Sequence, residues 1–306
     1  MKYTRKYTQK YTQKYTRKNI KRRYDQNPKL YKSFFCNGIK SQAVLSDKLN
    51  ELESMLPKNH SKPPIPTIHL FPYCSEKVHI SKYINKVNES SIEKSILDII
   101  QNTLSVNIST MPEIHDAGNN YTSEYNPAKF KEYIESGDIP QGNLFIIVHS
   151  NFLKALTTLY GAKIAFDNLD ILQIQLELSN RRNSRLLVRR YVNNWKTSSG
   201  KSKKTGTDGV QNIFLMRHCV ACNNMIEPTL KNKKFTHLIK RIDGELGYSK
   251  YSICSPYTIS EITSKKKYLI KILNKECGGI ANVKFGSSVI FRAILTCSLL
   301  IRCLET

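Results

Sequence analysis

Two apolar runs in this chain end directly in histidine: IFLM-Arg217-His218 at 213–218 and LFIIV-His149-Ser150 at 144–150. Imidazole is the side chain whose ordinary pKa lies closest to neutrality, so it can attack as a nucleophile or move a proton. In open α/β sheets, sites gather at the carboxyl ends of strands. One strand-end histidine is commonly structural; two, one of them preceded by arginine, make a stronger signal. The third piece is Arg292 in FGSSVIFRAILTCSLLI (285–301), on the first turn or so of a helix expected to open at Ser288, with serine as N-cap. Unpaired N–H groups and the positive dipole end make such a turn an anion site. An arginine there adds a two-pronged grip on phosphate.

Other motifs lead nowhere. His218, Cys219 and Cys222 present H-C-x-x-C, but no second CxxC or HxxxH pair completes a zinc site, and no metal is expected. The GKS at 200–202 lacks the glycine five residues before Gly200 that a phosphate-binding loop requires.

The elements that must position these residues alternate. A strand is predicted at 67–71 (TIHLF), helices at 91–104 and 128–136, and a strand buried on both faces at 144–148. A helix over 152–159 and a strand over 171–178 follow. Beyond them lie a strand at 213–216, helices at 236–242 and 260–274 (Ser260 as cap), a short strand at 283–285 and the helix from Ser288 to about Cys303. Alternating strands and helices argue for an α/β fold, expected as a three-layer α/β/α sandwich at 65–306. KPPIP at 62–66 marks its start, and the Ser/Gly/Lys-rich stretch 196–210 reads as a linker between halves 65–195 and 211–306. Residues 46–56 read as a short amphipathic helix capped by Ser46 within an otherwise disordered segment, 1–64.

The net charge of +24 maps unevenly. Residues 1–64 carry 16 Lys/Arg against 4 Asp/Glu, and residues 181–210 carry 9 against 1, leaving +4 for the other 212. The basicity is therefore assigned to a tail and a linker, whereas a nucleic-acid-binding fold carries its basic patch on its own surface. Within the tail, residues 3–18 repeat YTRK/YTQK four times; contact of residues 1–23 with nucleic acid or an anionic surface is the partner this composition suggests. The apolar stretches are too short or too interrupted to span a membrane, and no secretory signal opens the chain, so an intracellular, cytoplasmic protein is expected. The eight cysteines are accordingly expected as free thiols in a reducing compartment.

At this point a resemblance enters. LMRHCVACNN (215–224) resembles the Arg-His-Gly signature of the histidine phosphatase, or phosphoglycerate-mutase-like, superfamily, with Asn224 where the signature has asparagine. SSVIFRAILT (287–296) resembles its Ser-Ser-Pro-Leu-x-Arg-Ala-x-x-Thr segment, and FIIVHSNFLKAL (145–156) its late strand ending in the second histidine. SPYTIS (255–260) echoes the second segment but lacks its arginine. The order differs from the family's: the second-histidine segment precedes the signature, and the usual order returns only if Thr306 is joined to about Ile65. Such a circular permutation is physically tolerable. It brings Glu76, in FPYCSEK, near the family's proton-donating acid. Cys219, Val289 and Ser150 replace the family's glycine, proline and glycine.

The resemblance implies a cofactor-free phosphatase acting on a phosphorylated small molecule or phosphoprotein. His218 would attack phosphorus and hold a phosphohistidine. Arg217, Arg292, His149 and Asn224 would bind the phosphate, His149 also serving catalysis. Glu76 would protonate the leaving oxygen and activate water, with Asp116 the alternative acid. A mutase is disfavoured, since nothing suggests a bisphosphate clamp. The alternative function is an inactive phosphate-binding relative, or a nucleic-acid-associated protein using the basic tail.

Overall fold

The structure is a computed structural model that describes residues 42–57, 65–71, 73–79, 92–110, 122–189, 209–220, 253–254 and 257–305. It is mixed α/β. The first helix, α1 (Gln42–Ser54), precedes strands β1 (Thr67–Phe71) and β2 (Cys74–His79). Then come α2 (Ile92–Leu104), β3 (Asn107–Thr110), β4 (Thr122–Tyr125), α3 (Pro127–Ser136), β5 (Asn143–Val148) and α4 (Ser150–Leu159). The hairpin β6 (Ile171–Glu177) and β7 (Asn180–Arg189) leads to β8 (Val210–Arg217), α5 (Tyr257–Cys277), β9 (Val283–Ser288) and α6 (Phe291–Leu304).

Seven of the described strands form one sheet in the order β3-β1-β9-β5-β8-β6-β7. The five from β3 to β8 run parallel, and β6 pairs antiparallel with both β8 and β7. At the centre, β5 reads NLFIIV and buries Leu144 through Val148 completely. Near-continuous apolar runs are what a parallel strand covered on both faces requires. Its neighbour β8 buries Gln211 to Met216 in the same way. Phe145 anchors the middle of the sheet, stacked at 5.8 Å on Phe214 and tilted against Phe285 on the other side. Because β9, β5 and β8 are parallel neighbours, their carboxyl ends share one edge, and whatever follows each strand meets there.

Several boundaries differ from expectation, each for a local reason. The helix near residue 46 starts at Gln42, so Ser46 lies inside it rather than capping it. Leu45, Leu49 and Leu52 are fully buried and join the one hydrophobic cluster, where α1 packs on α2. Each such leucine stabilises by about 1.5–3 kcal/mol, so α1 shares the core of the strands that follow it. The basic stretch from 181 opens as strand β7, ahead of the expected linker, and Val210, placed in that linker, already belongs to β8. Ser260 sits within α5, which starts at Tyr257. The last helix opens at Phe291 with Ile290 as N-cap and no side-chain cap. Ser288 is unavailable for capping because β9 continues through it, pairing Ser287 with Ile147 and Ser288 with Phe71. Strands β2, β3 and β4 were not anticipated; β2 and β4 form a separate antiparallel pair. The helix expected at 236–242, the tail at 1–41 and most of the linker lie outside the described residues. No described helix is long and apolar enough to cross a membrane.

Candidate active site

The carboxyl edge of β9, β5 and β8 brings three of the sequence-predicted groups together. His218 follows β8, its own N–H donating to Val148 O at 3.0 Å, so the segment stays zipped to β5 one residue past the strand. His149 follows β5 and caps α4. Arg292 enters from the first turn of α6, directly after β9. The rings of His149 and His218 lie 5.3 Å apart, tilted by 39°. Arg292 Nε donates to His218 Nε2 at 3.1 Å. His218 is 1% exposed and Arg292 9%, so this contact lies inside the protein.

The partners define the protonation of both rings. His218 Nδ1 lies 2.8 Å from the carbonyl oxygen of Cys219, which can only accept, so Nδ1 carries the proton. The lone pair therefore resides on Nε2, consistent with that atom accepting from Arg292. His149 is the mirror case: its Nδ1 accepts from Asn151 N–H at 3.2 Å, leaving the proton on Nε2. One ring offers a nucleophilic nitrogen and the other a neutral N–H donor.

Electrostatics favours these neutral forms. Burial, then the charges of Arg292, Arg217 and Lys154, push the His149 pKa down to about 4. Burial, followed by Arg292, His149 and Arg217, holds His218 well below the ordinary histidine value; the bond to the Cys219 carbonyl opposes this only in part. A buried neutral imidazole among guanidinium groups can attack an electrophile that carries negative charge, because the anion lowers the cost of the positive charge the ring then acquires.

Arg217 is held at one side by a 2.6 Å bond from Nη1 to Phe166 O. Thr296, one turn beyond Arg292, accepts from Cys219 N–H at 3.0 Å and donates to Arg292 O, tying the residue after His218 to α6. It belongs to the 287–296 segment but had been given no role. Asn168, which no motif announced, donates to the carbonyls of both His218 and Cys219.

The expectation of free thiols is corrected at two positions. Cys219 and Cys254 are joined by a disulfide, their Cα atoms 5.7 Å apart. The cause is the fold: residue 254 is brought beside the end of β8, within bridging distance of a partner 35 positions away. Cys74, Cys277, Cys297 and Cys303 are buried thiols outside any disulfide among the described residues, in line with the expectation. Cys36 and Cys222 lie outside the described residues.

Of the remaining predicted residues, Glu76 lies on β2, which starts three residues after β1 ends and touches β9. Since β1 is parallel to β9, the chain leaves β1 at the same sheet edge that carries His218, His149 and Arg292. Asn224 and Asp116 lie outside the described residues. Among the described residues no cluster of three His, Cys, Asp or Glu is arranged to hold a metal ion. No family model matches this chain, and neither a curated protein nor a solved structure does.

Proposed function

We propose that the chain hydrolyses phosphate monoesters through a phosphohistidine on His218, within a three-layer α/β/α domain of permuted histidine-phosphatase order. The observation that carries this reading is the pair of bonds on the His218 ring: Nδ1 to the Cys219 carbonyl, and Nε2 to the Arg292 guanidinium. That pair leaves the nucleophilic nitrogen unprotonated and points a cation at the place an attacked phosphate would fill. In the proposed step the Nε2 lone pair forms the N–P bond as the P–O bond to the leaving group breaks. Arg292, Arg217 and His149 Nε2–H stabilise the phosphoryl oxygens. A carboxylic acid, assigned to Glu76, protonates the departing oxygen and then, as carboxylate, takes a proton from the water that releases phosphate. The permuted order requires segments far apart in sequence to meet, as they do on β9, β5 and β8.

The test is hydrolysis of a generic aryl phosphate in the presence of chelator, comparing wild type with His218→Ala. Chelator-resistant turnover that disappears in the variant, with an acid-labile phosphoenzyme trapped only in wild type, is the expected result. The Arg292–His218 contact also favours one second reading, a phosphate-binding protein whose nucleophile stays covered. Under that reading inorganic phosphate raises the melting temperature of a protein that turns nothing over.

A further inference from the structure

The segment that carries His218 is held by the loop between α4 and β6 through several hydrogen bonds. Arg217 Nη1 donates to Phe166 O, Leu169 N–H donates to Arg217 O, and Arg217 N–H donates to Asp170 O. Within the loop, Asp167 N–H donates to Asp170 Oδ2 at 2.6 Å. Leu169 holds a left-handed backbone, φ +63°, with its side chain fully buried. A leucine accepts that conformation at a cost of about 1–2 kcal/mol only where its surroundings over-determine it. Here the buried side chain and the N–H bond to Arg217 do so.

Asn168 stands in the middle of this loop. Its Nδ2 donates to His218 O at 2.9 Å and to Cys219 O at 2.7 Å, so both protons of one amide nitrogen are aimed at consecutive carbonyls. The second of these is the acceptor for His218 Nδ1. Loop and strand are already stapled by Phe166, Leu169 and Asp170. The Asn168 bonds are different in kind, because they reach past the strand to the carbonyls around the nucleophile.

We propose that Asn168 is a positioning residue for His218, its side-chain amide fixing the Cys219 carbonyl that keeps the proton on Nδ1 and the lone pair on Nε2. The proposal rests on the phosphohistidine reading for its catalytic consequence. As Nε2 bonds to phosphorus the ring becomes cationic, and the Nδ1–H···O=C bond strengthens into a charge-assisted one. An interaction stronger in the transition state than in the ground state appears in kcat. Without Asn168 the Cys219 peptide loses the donor that holds its carbonyl toward the ring, and the weight of the other tautomer rises, opposed by the Arg292 N–H at Nε2.

The experiment uses the full chain labelled with ¹⁵N, comparing wild type, Asn168→Ala and Asn168→Asp, which keeps the shape and removes the donor. The His218 ring nitrogens are assigned by their loss in His218→Gln. Wild type is expected to show a protonated Nδ1 and a bare Nε2, and both Asn168 variants a mixed signal. Aryl phosphate kcat is expected to fall about ten- to a hundred-fold, as for other supporting residues behind a reacting group, with KM within about twofold. Asn168→Ser, which retains a donor, should recover part of the loss. Folded variants with unchanged His218 ring signals would overturn the proposal. If the variants do not fold, wild type decides, because a proton on Nε2 overturns it and one on Nδ1, with slowly exchanging Asn168 amide protons, sustains it. A tautomer change in a protein that hydrolyses nothing would instead sink the phosphatase reading and leave the positioning role standing.

Discussion

Arg292 Nε rests 3.1 Å from His218 Nε2, so the guanidinium occupies the one lone pair through which the imidazole could act. An N–H and a phosphorus atom cannot share that lone pair. Under the phosphohistidine reading, substrate draws Arg292 from the ring onto its own oxygens, where a guanidinium finds two acceptors instead of one. Under that reading the contact is a closed state of the site that an anion opens, and it ties Arg292 to both binding and chemistry.

Replacing Arg292 follows from this. Its charge is, after burial, the largest influence holding His218 below the ordinary histidine pKa. In Arg292→Ala the His218 pKa is expected to rise toward 6.5, read by NMR titration of the ring. At the same time kcat should fall by about 10²–10³, the usual effect of removing one donor from a developing anion. A variant that titrates as wild type would show that the two groups are not in contact.

The histidines also predict an acid-sensitive fold. The folded chain keeps the His149 pKa near 4, whereas the unfolded chain takes up a proton near 6.5. Above pH 6.5 neither state binds it and stability is unaffected. Between pH 6.5 and about 4 the unfolded state binds more protons, so stability falls as pH falls, by about 1.4 kcal/mol per unit at most. His218 is shifted in the same direction and adds to the slope. Urea midpoints from pH 7.5 to 4.5 should decline more shallowly in His149→Gln than in wild type. Parallel curves would mean that His149 is protonated in the native state.

How much of this was legible in the sequence depended on what each residue signals locally. The runs IFLM and LFIIV announced central strands, since only burial on both faces tolerates them, and the residues after them had to emerge at the sheet edge. Helix starts were read from serines, and at Ser46, Ser260 and Ser288 this failed, because apolar packing or an extended ladder outweighs a cap that contributes only about 1 kcal/mol. The basic strand β7 was hidden because NRRNSRLLVR reads as a charge run, yet at the end of the strand order charged residues are tolerated as they are not in a central strand. Asn168 and Cys254 carry no motif at all. Their meaning lies in which carbonyl or sulfur the fold places opposite them, over separations of 50 and 35 residues.

Gly286 offers a test of packing beneath the site. It lies on β9 between β1 and β5, opposite His69 and Ile146. A Cβ there would overlap the ring of Phe71 and approach His69 O to 3.0 Å. Phe71 is buried at 1% exposure and closes β1 at the same edge as His149 and His218, so the ring has little room to yield. Gly286→Ala is expected to destabilise by about 1–3 kcal/mol, the range for overpacking a core. Chemical denaturation measures it. Because β9 leads into Arg292 two residues beyond its loop, the folded fraction should also lose activity. A neutral Gly286→Ala would show that Phe71 can turn aside.

The disulfide makes the final prediction. Cys219 follows His218, donates its N–H to Thr296, and accepts from His218 and Asn168 at its carbonyl, and its sulfur is bonded to Cys254. Every part of the residue is therefore tethered. A cross-link closing a loop of this separation restricts the unfolded chain and stabilises by about 2–4 kcal/mol. Both sulfurs are fully buried, so a reductant reaches them only when the segment opens, and native protein should resist mild reduction. Thiol titration in denaturant, with and without prior reduction, should differ by at least two groups. Cys254→Ser should lower the unfolding free energy by roughly the stated amount. It should also leave Cys219 held by its backbone partners, so that kcat falls less than in Asn168→Ala, where the carbonyl itself is released. If Cys254→Ser were as inactive as the Asn168 variant, the cross-link rather than the asparagine amide would be what sets the nucleophile's geometry.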